Sequence, residues 1–464
     1  MDDSRSRLRG KRSSCNTSGD TKSIFQHLQA QKEASIENGS TSRIDLETSI
    51  SRLNINMTKS IVGDRENLIK FLKPYVKKHN EVPETTLDFY KIDKVIGKGA
   101  FGKVILGVHK LTGKNVAIKT IEKSYMNGET EQFSRRKVFQ EIYILKKIRH
   151  SNVIRLLEVF ESTNHLLMVM EYAGGGDLLQ HVKGQGRLSE LDARIFFRQI
   201  LYGLGHCHCR SVLHRDVKLD NILIGNSGQV KICDFGVSKI ISNNKKIFEQ
   251  CGTPAYIAPE IISDKGYEGY YVDIWSLGVL LYAMVCGAVP FKANNMQELY
   301  TNIMKKGFTF PVALSKEVRD LIRKMLNKVP NKRIMIPEIL NHPWVTSEEE
   351  FDVDYEESDI GNDSSLLLSN PSDLDSLIEV TDVECSNDAA ESTHDNINYI
   401  NVDNLFCNNN FESKLNYNDY KSLTEDFATM HIDEDALSVL EGFGYPRSLV
   451  KKCLNRGDMN HATT

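Results

Sequence analysis

Several things are scarce in this chain. Nine cysteines are scattered over 464 residues without the spacing of a disulfide framework. That excludes a disulfide-stapled secreted scaffold and fits a reducing compartment. Charge of one sign is not in excess: 58 Lys and Arg face 62 Asp and Glu, a formal net charge of −4. This balance argues against bulk nucleic-acid binding. Long apolar runs are almost absent. Only Ile274–Phe291 is nearly free of polar residues, and it lies at the lower limit of membrane-spanning length. Met1-Asp-Asp opens neither a hydrophobic leader nor a myristoylation site. A cytoplasmic or nuclear location is the expectation. The length is too great for one compact domain and short for three.

What the chain does have is an ordered series of short motifs. They are Gly97-Lys-Gly-Ala-Phe-Gly102-Lys-Val104, Val116-Ala-Ile-Lys119, His214-Arg-Asp216-Val-Lys218-Leu-Asp-Asn221, Asp234-Phe-Gly236 and Ala258-Pro-Glu260. Gly97, Gly99 and Gly102 lie between two strand-like runs, Tyr90–Ile96 and Lys103–His109. Glycines in such a hairpin let backbone approach phosphates without a side-chain clash. A lone G-x-G-x-x-G also fits a dinucleotide fold, but there a strand leads into a helix. Lys119 closes the strand-like Lys114–Thr120. Val138, Ile142 and Leu145 recur at helical spacing within Arg136–Ile148, which carries Glu141.

Together these motifs resemble a eukaryotic protein kinase, over roughly Phe89 to Trp344. The resemblance implies an α+β, two-lobed fold in a catalytic domain at 89–345. A small antiparallel sheet with one main helix forms the first lobe, and the second is mostly helical. It implies ATP and Mg2+ as cofactors. Lys119 would hold the ATP phosphates and pair with Glu141; Asp216 would act as catalytic base; Asn221 and Asp234 would hold magnesium through hard oxygen donors. Lys218 and Thr253 match the serine/threonine branch. The phosphate hairpin would comprise Gly97, Lys98, Gly99, Ala100, Phe101, Gly102 and Lys103. Ile96, Val104, Ala117 and Leu223 would clamp adenine, with Met170 as gatekeeper and Glu171–Ala173 as hinge. Glu260 would pair with Arg333, and Asp273 would hold the catalytic loop. The apolar Ile274–Phe291 matches the buried central helix of the second lobe. His206-Cys-His-Cys209 looks metal-like, yet consecutive helical residues do not face one ion.

Two further readings concern control and selectivity. Relatives in the AMP-activated and SNF1-like branch of the calcium/calmodulin-dependent group often carry a phosphorylated threonine two residues before the Cys-Gly pair. Here that position is Glu249, and Arg215 precedes Asp216. A carboxylate supplies one of the nearly two charges of a phosphate, so activity without activation-loop phosphorylation is the expectation. Ser242 is the alternative switch. Asp177 and Asp220 fall where arginine-directed kinases place acids, which implies protein substrates with Arg-x-x-Ser/Thr motifs. Ala283 stands where some relatives carry a further acid. Asp177 also suits the ATP ribose.

Outside the catalytic region, residues 1–85 read as a polar disordered tail with a short helix at 64–76. The tail carries a basic cluster, Arg5 to Arg12, beside Ser13 and Ser14. Residues 346–432 form an acidic, then Asn/Ser-rich, linker; from Glu348 to Asp359 eight of twelve residues are acidic. Residues 433–464 resemble a ubiquitin-associated-like module that ends where its third helix should begin. Regulation of the catalytic domain by intramolecular docking, rather than ubiquitin binding, is the implied role. Two rival classes remain: a kinase-fold scaffold without catalysis, and a regulatory interaction protein acting through the C-terminal segment. Loss of Lys119, Asp216 or Asp234 would mark the scaffold, and none is lost.

Overall fold

A computed structural model describes residues 63–99, 102–126, 131–241, 246–348, 432–456, 458 and 460–463. Five strands form the first lobe: β1 (Tyr90–Gly99), β2 (Gly102–His109), β3 (Asn115–Glu122), β4 (Leu156–Glu161) and β5 (His165–Glu171). They are antiparallel neighbours in the order β1-β2-β3-β5-β4. Strand alternation divides the lobe into two faces. Ile121 of β3 and Leu166 and Met168 of β5 join the main core, while Val116, Ile118, Leu167 and Val169 point the other way into a second cluster. Both faces are covered, which explains why β5 reads as a nearly unbroken apolar run.

The cover on the outer face comes from both ends of the chain. Helix α1 (63–79) brings Leu72 and Val76, both buried. A short helix is expected at 64–76, and one stands at 63–79, its apolar stripe buried against the sheet. Residues 1–62 lie outside the described residues.

The main core is built around helices. In chain order they include α2 (Glu131–Lys147), α3 (Leu178–Gln185), α4 (Glu190–Cys209), α5 (Gly269–Cys286), α6 (Met296–Lys305) and α7 (Lys316–Met325). Helix α5 is long and apolar enough to cross a membrane by composition, but 89% of it is buried inside the protein. It is the axis of the helical lobe, as the resemblance implied. A helix with no polar side belongs in such a core. Of the metal-like quartet, His208 bonds to Asp273 at 2.8 Å and His206 lies 3.1 Å from Arg210 Nη1. Two hairpin-like pairs, β6 (Val212–Leu213) with β9 (Lys239–Ile240) and β7 (Ile222–Ile224) with β8 (Val230–Ile232), frame the loop that carries Asp216.

Near the other end, α8 (Glu434–Phe443) and α9 (Arg447–Arg456) follow the two helices expected from sequence. Asp433 caps α8 through the backbone amides of Asp435 and Ala436. Leu437, Phe443, Tyr445, Leu449 and Val450 share the outer cluster with Leu72, Val76 and the sheet. Gly444 has φ 103°, and a Cβ there would lie 2.7 Å from Lys73 Cγ, so the turn between α8 and α9 meets α1 closely. Beyond Arg456 the described residues form a turn rather than a third helix. Its His461 stacks on Phe89 at 3.9 Å, accepts from the Tyr445 hydroxyl at 2.7 Å and meets Thr85 Oγ1 at 3.1 Å. Thr85 in turn donates to Glu158 at 2.5 Å, and the Tyr90 hydroxyl also donates to Glu158. Each proton finds one acceptor when His461 is neutral with its hydrogen on Nδ1. Burial holds His461 neutral, its pKa lowered to about 3.

Candidate active site

Strand register places the residues expected to face a nucleotide. Val104 of β2 lies opposite Lys119 of β3, Gly97 opposite Val104, and Ala117 opposite Met170. Gly102 is held by packing as well as by any phosphate: a Cβ there would fall 1.7 Å from the Thr120 carbonyl oxygen. Ala100 and Phe101, at the hairpin tip, lie outside the described residues. Ile96 is exposed, while Val104 and Leu223 are half-buried, leaving an apolar surface open between the lobes. The Glu171 carboxylate accepts from the Arg155 amide at 2.8 Å and pairs with Lys231 at 2.8 Å. It therefore contributes to a hinge through its backbone rather than its side chain.

Lys119 Nζ lies 2.7 Å and 3.0 Å from the two oxygens of Glu141. Burial opposes the ammonium charge, but Glu141 and then Asp234 raise the Lys119 pKa, so it stays protonated. Helix α2 presents Glu141 because Val138, Ile142 and Leu145 turn the same side of the helix into the core.

Asp216 is the centre of a second cluster. Its Oδ1 accepts from the Thr253 amide at 2.9 Å and the Thr253 hydroxyl at 2.8 Å; its Oδ2 accepts from Asn221 Nδ2 at 2.9 Å. Lys218 Nζ donates to Thr253 Oγ1 at 2.8 Å and lies 3.3 Å from Asp216 Oδ2. Burial works against the Lys218 charge, and Asp216 and Asp220 outweigh it. Asn221 spends its NH2 group on Asp216, which leaves its carbonyl oxygen as an acceptor. Asp234, at φ 61°, accepts from the Gly236 amide through Oδ1 at 3.2 Å, leaving Oδ2. Two hard oxygen donors on adjacent loops suit magnesium, which keeps waters and phosphate oxygens in its shell.

The loop bearing Asp216 is anchored from below. Asp273 is fully buried and accepts from the amides of His214 at 3.0 Å and Arg215 at 2.7 Å, and from His208. Burial alone would raise its pKa; the His208 bond and charge bring it below the ordinary aspartate value. The His214 ring packs edge-on against Phe235 at 4.9 Å. Glu260 and Arg333 form a two-bonded pair at 2.6 Å and 3.0 Å.

Beside this cluster, Glu249 meets two cations. Arg215 Nη1 donates to its Oε2 at 2.8 Å and Lys239 Nζ to its Oε1 at 2.6 Å. Burial would raise the Glu249 pKa, but the bonds from Lys239 and Arg215 lower it to about 2. Sequence reading found the Arg215 partnership and missed Lys239. That lysine comes close because β9 pairs with β6, aligning Lys239 with Leu213 just before His214. The segment is also tied to α2 by Gln140 Nε2, which donates to the Ser238 carbonyl at 2.9 Å. Ser242 lies outside the described residues.

The two expected substrate acids differ. Asp177 spends Oδ1 capping α3 through the Gln180 amide at 2.8 Å. Asp220 has a buried Oδ2 with no hydrogen-bond partner, and burial raises its pKa against the opposing pull of Lys218. An unmatched carboxylate oxygen invites a cationic donor.

Comparison with known proteins agrees with this geometry. Over 263 residues the chain is 39% identical to a zebrafish (Danio rerio) protein named serine/threonine-protein kinase SIK3 homolog, covering 57% of this chain and 22% of the relative. Over 266 residues it is 41% identical to probable serine/threonine-protein kinase MARK-A of Dictyostelium discoideum, covering 57% and 25%. The chain thus matches a quarter or less of the length of these relatives. The protein kinase domain model matches residues 90–345. With more than half of its length in that match, the chain belongs to the protein kinase domain family.

Proposed function

We propose that this protein is an ATP- and magnesium-dependent serine/threonine protein kinase that phosphorylates hydroxyls in Arg-x-x-Ser/Thr contexts. The observation that carries the reading is the Asp216 cluster. Its carboxylate is held by Asn221, the Thr253 amide and the Thr253 hydroxyl, with Lys218 3.3 Å away. In this arrangement Asp216 accepts the proton of the attacking hydroxyl. Lys218 offsets charge at the reacting centre, and Thr253 fixes the distance between the two. Lys119 binds the phosphates of the nucleotide, steered by Glu141. Gly97, Gly99 and Gly102 let backbone approach them without a side-chain clash. Magnesium, held by Asn221 and Asp234, supplies charge neutralisation of the phosphates when bound. Asp177 and Asp220 receive the arginine of the substrate, through the buried, unmatched oxygen of Asp220 above all.

Glu249 serves in place of an activation-loop phosphate. It gives Arg215 and Lys239 their anion, and Arg215 also donates to the Val237 carbonyl at 2.7 Å. This ties β9, the Asp216 loop and the peptide side of the segment into one ordered unit. The outer cover of α1, α8 and α9 acts as an intramolecular regulatory clasp on the sheet lobe. Burial of Phe443 and Tyr445 in this cover argues against ubiquitin binding through the turn between α8 and α9.

Phosphate transfer from ATP-Mg2+ to an Arg-x-x-Ser peptide by phosphatase-treated protein tests the proposal. Turnover lost in Asp216→Asn and reduced on replacing the peptide arginine by alanine is expected. A protein that binds ATP yet shows no Asp216-dependent transfer to basic or acidic peptides would overturn it in favour of a scaffold.

A further inference from the structure

Helix α2 has two working sides. The inner one carries Glu141 to Lys119. On the outer one, Arg135, Phe139, Tyr143 and Lys147 follow each other at four-residue spacing and so line one side of the helix. The Arg135 guanidinium lies 5.6 Å from the Phe139 ring centre, and Lys147 Nζ lies 4.4 Å from that of Tyr143. Phe139 is 46% exposed and Tyr143 49%. Arg136, Lys137 and Lys146 add positive charge to the helix, while Glu141 is turned inward. Two large neighbouring rings framed by cations on an exposed helix make an interaction surface rather than scattered apolar exposure.

We infer that this stripe docks the acidic segment 348–359 of the same chain. Charge complementarity favours it, since eight of those twelve residues are acidic. The segment also carries its own aromatics, Phe351 and Tyr355, at the same four-residue spacing. The route of the chain favours it too. The Ser347 carbonyl is held by Arg194 at 3.1 Å and Arg198 at 2.7 Å on α4, in the helical lobe. The chain is next described at Ile432, packed on the outer cluster of the sheet lobe. The described chain thus leaves off at residue 348 on one lobe and resumes on the other, the lobe to which α2 belongs. A tether of this kind gives an effective concentration of order mM, enough to populate a weak contact. A second copy is a poor occupant, because a two-fold contact of this stripe with itself would oppose cation to cation. Docking would brace α2 with Glu141 turned toward Lys119, linking the segment after the helical lobe to the Lys119–Glu141 pair. The docking itself does not depend on the kinase reading.

Carbodiimide, which joins a lysine to a carboxylate in direct contact, tests this on the full-length protein. A linked peptide between Lys146 or Lys147 and an acid of 348–359 is expected, formed within one chain when isotopically light and heavy protein are mixed. It should fall several-fold in Phe139→Ser/Tyr143→Ser, which keeps every lysine and acid in place. The Lys123–Glu161 pair, 2.7 Å apart, provides an internal standard whose yield should not change. If the double variant loses the standard, Tyr143→Ser alone carries the test. Equal yield in wild type and variant, absence of the link, or links only between chains would overturn the docking.

Discussion

Two glutamates in this molecule are held in opposite ways. Glu249 is 53% exposed and touches two cations, Arg215 and Lys239. Glu158 is 1% exposed and is met by the hydroxyls of Thr85 and Tyr90, with no cation reaching it among the described residues. The first has its pKa lowered to about 2 because charge outweighs burial; the second is raised because burial outweighs its two hydrogen bonds. The region around Asp216 is therefore organised by matched charge, and the outer face of the sheet lobe by neutral polar contacts inside an apolar cluster. The first arrangement fixes the Asp216 cluster and a loop. The second joins distant parts of the chain without committing an ion to the interior.

The difference can be broken in graded steps. The largest effect is expected where a buried carboxylate loses its cation. Lys119→Met leaves Glu141 buried and unpaired, costing about 3–5 kcal/mol of stability in denaturant titrations, with ATP-dependent transfer abolished. Next comes the apolar clasp. Leu72→Ala should cost about 2–5 kcal/mol locally, seen as faster hydrogen exchange of α8 and α9 amides, while exchange in α5 stays unchanged. If α8 and α9 keep their protection, the two ends do not share one core. Glu158→Gln should change stability by only about 1 kcal/mol, because no ionic partner is left behind; a large loss would mean that Glu158 is ionised and matched after all.

The smallest effect is in pH, and its sign separates the two acids. Glu249 has a depressed pKa, so its contribution is present above the ordinary value of 4.5 and is lost as pH falls toward about 2. Glu158 has a raised pKa, so the stability contributed by its protonated form is complete below 4.5 and is lost as pH rises through that raised value. In thermal unfolding from pH ~4 to ~8, Glu249→Gln should approach wild type on acidification. Glu158→Gln should gain on wild type as pH rises. The same direction for both variants would contradict the contrast.

Much of the matched-charge region was legible in sequence, because its chemistry demands particular residues at fixed spacing. Asp216, Lys218 and Thr253 meet as expected, and so do Lys119 with Glu141 and Glu260 with Arg333. Lys239 was not legible, since only the pairing of β9 with β6 brings it to Glu249. The clasp was harder. The run Leu166-Leu-Met-Val-Met170 lacks alternation, which in an antiparallel sheet signals cover on both faces. Nothing local says that the cover comes from Leu72 and Val76 far upstream and from Leu437 onward far downstream. Apolar stripes such as Leu68, Leu72 and Val76 state that a helix buries one side, not against what.

The central claim is that Glu249 stands in for an activation-loop phosphate, and one comparison tests it most directly. Specific activity toward an Arg-x-x-Ser peptide would be measured for phosphatase-treated wild type and Glu249→Ala, after equal thermal stability is verified. Wild type should turn over without phosphorylation, and the variant should lose most of that activity, since Arg215 and Lys239 are left facing each other without an anion. Equal activity of the two proteins would contradict the account.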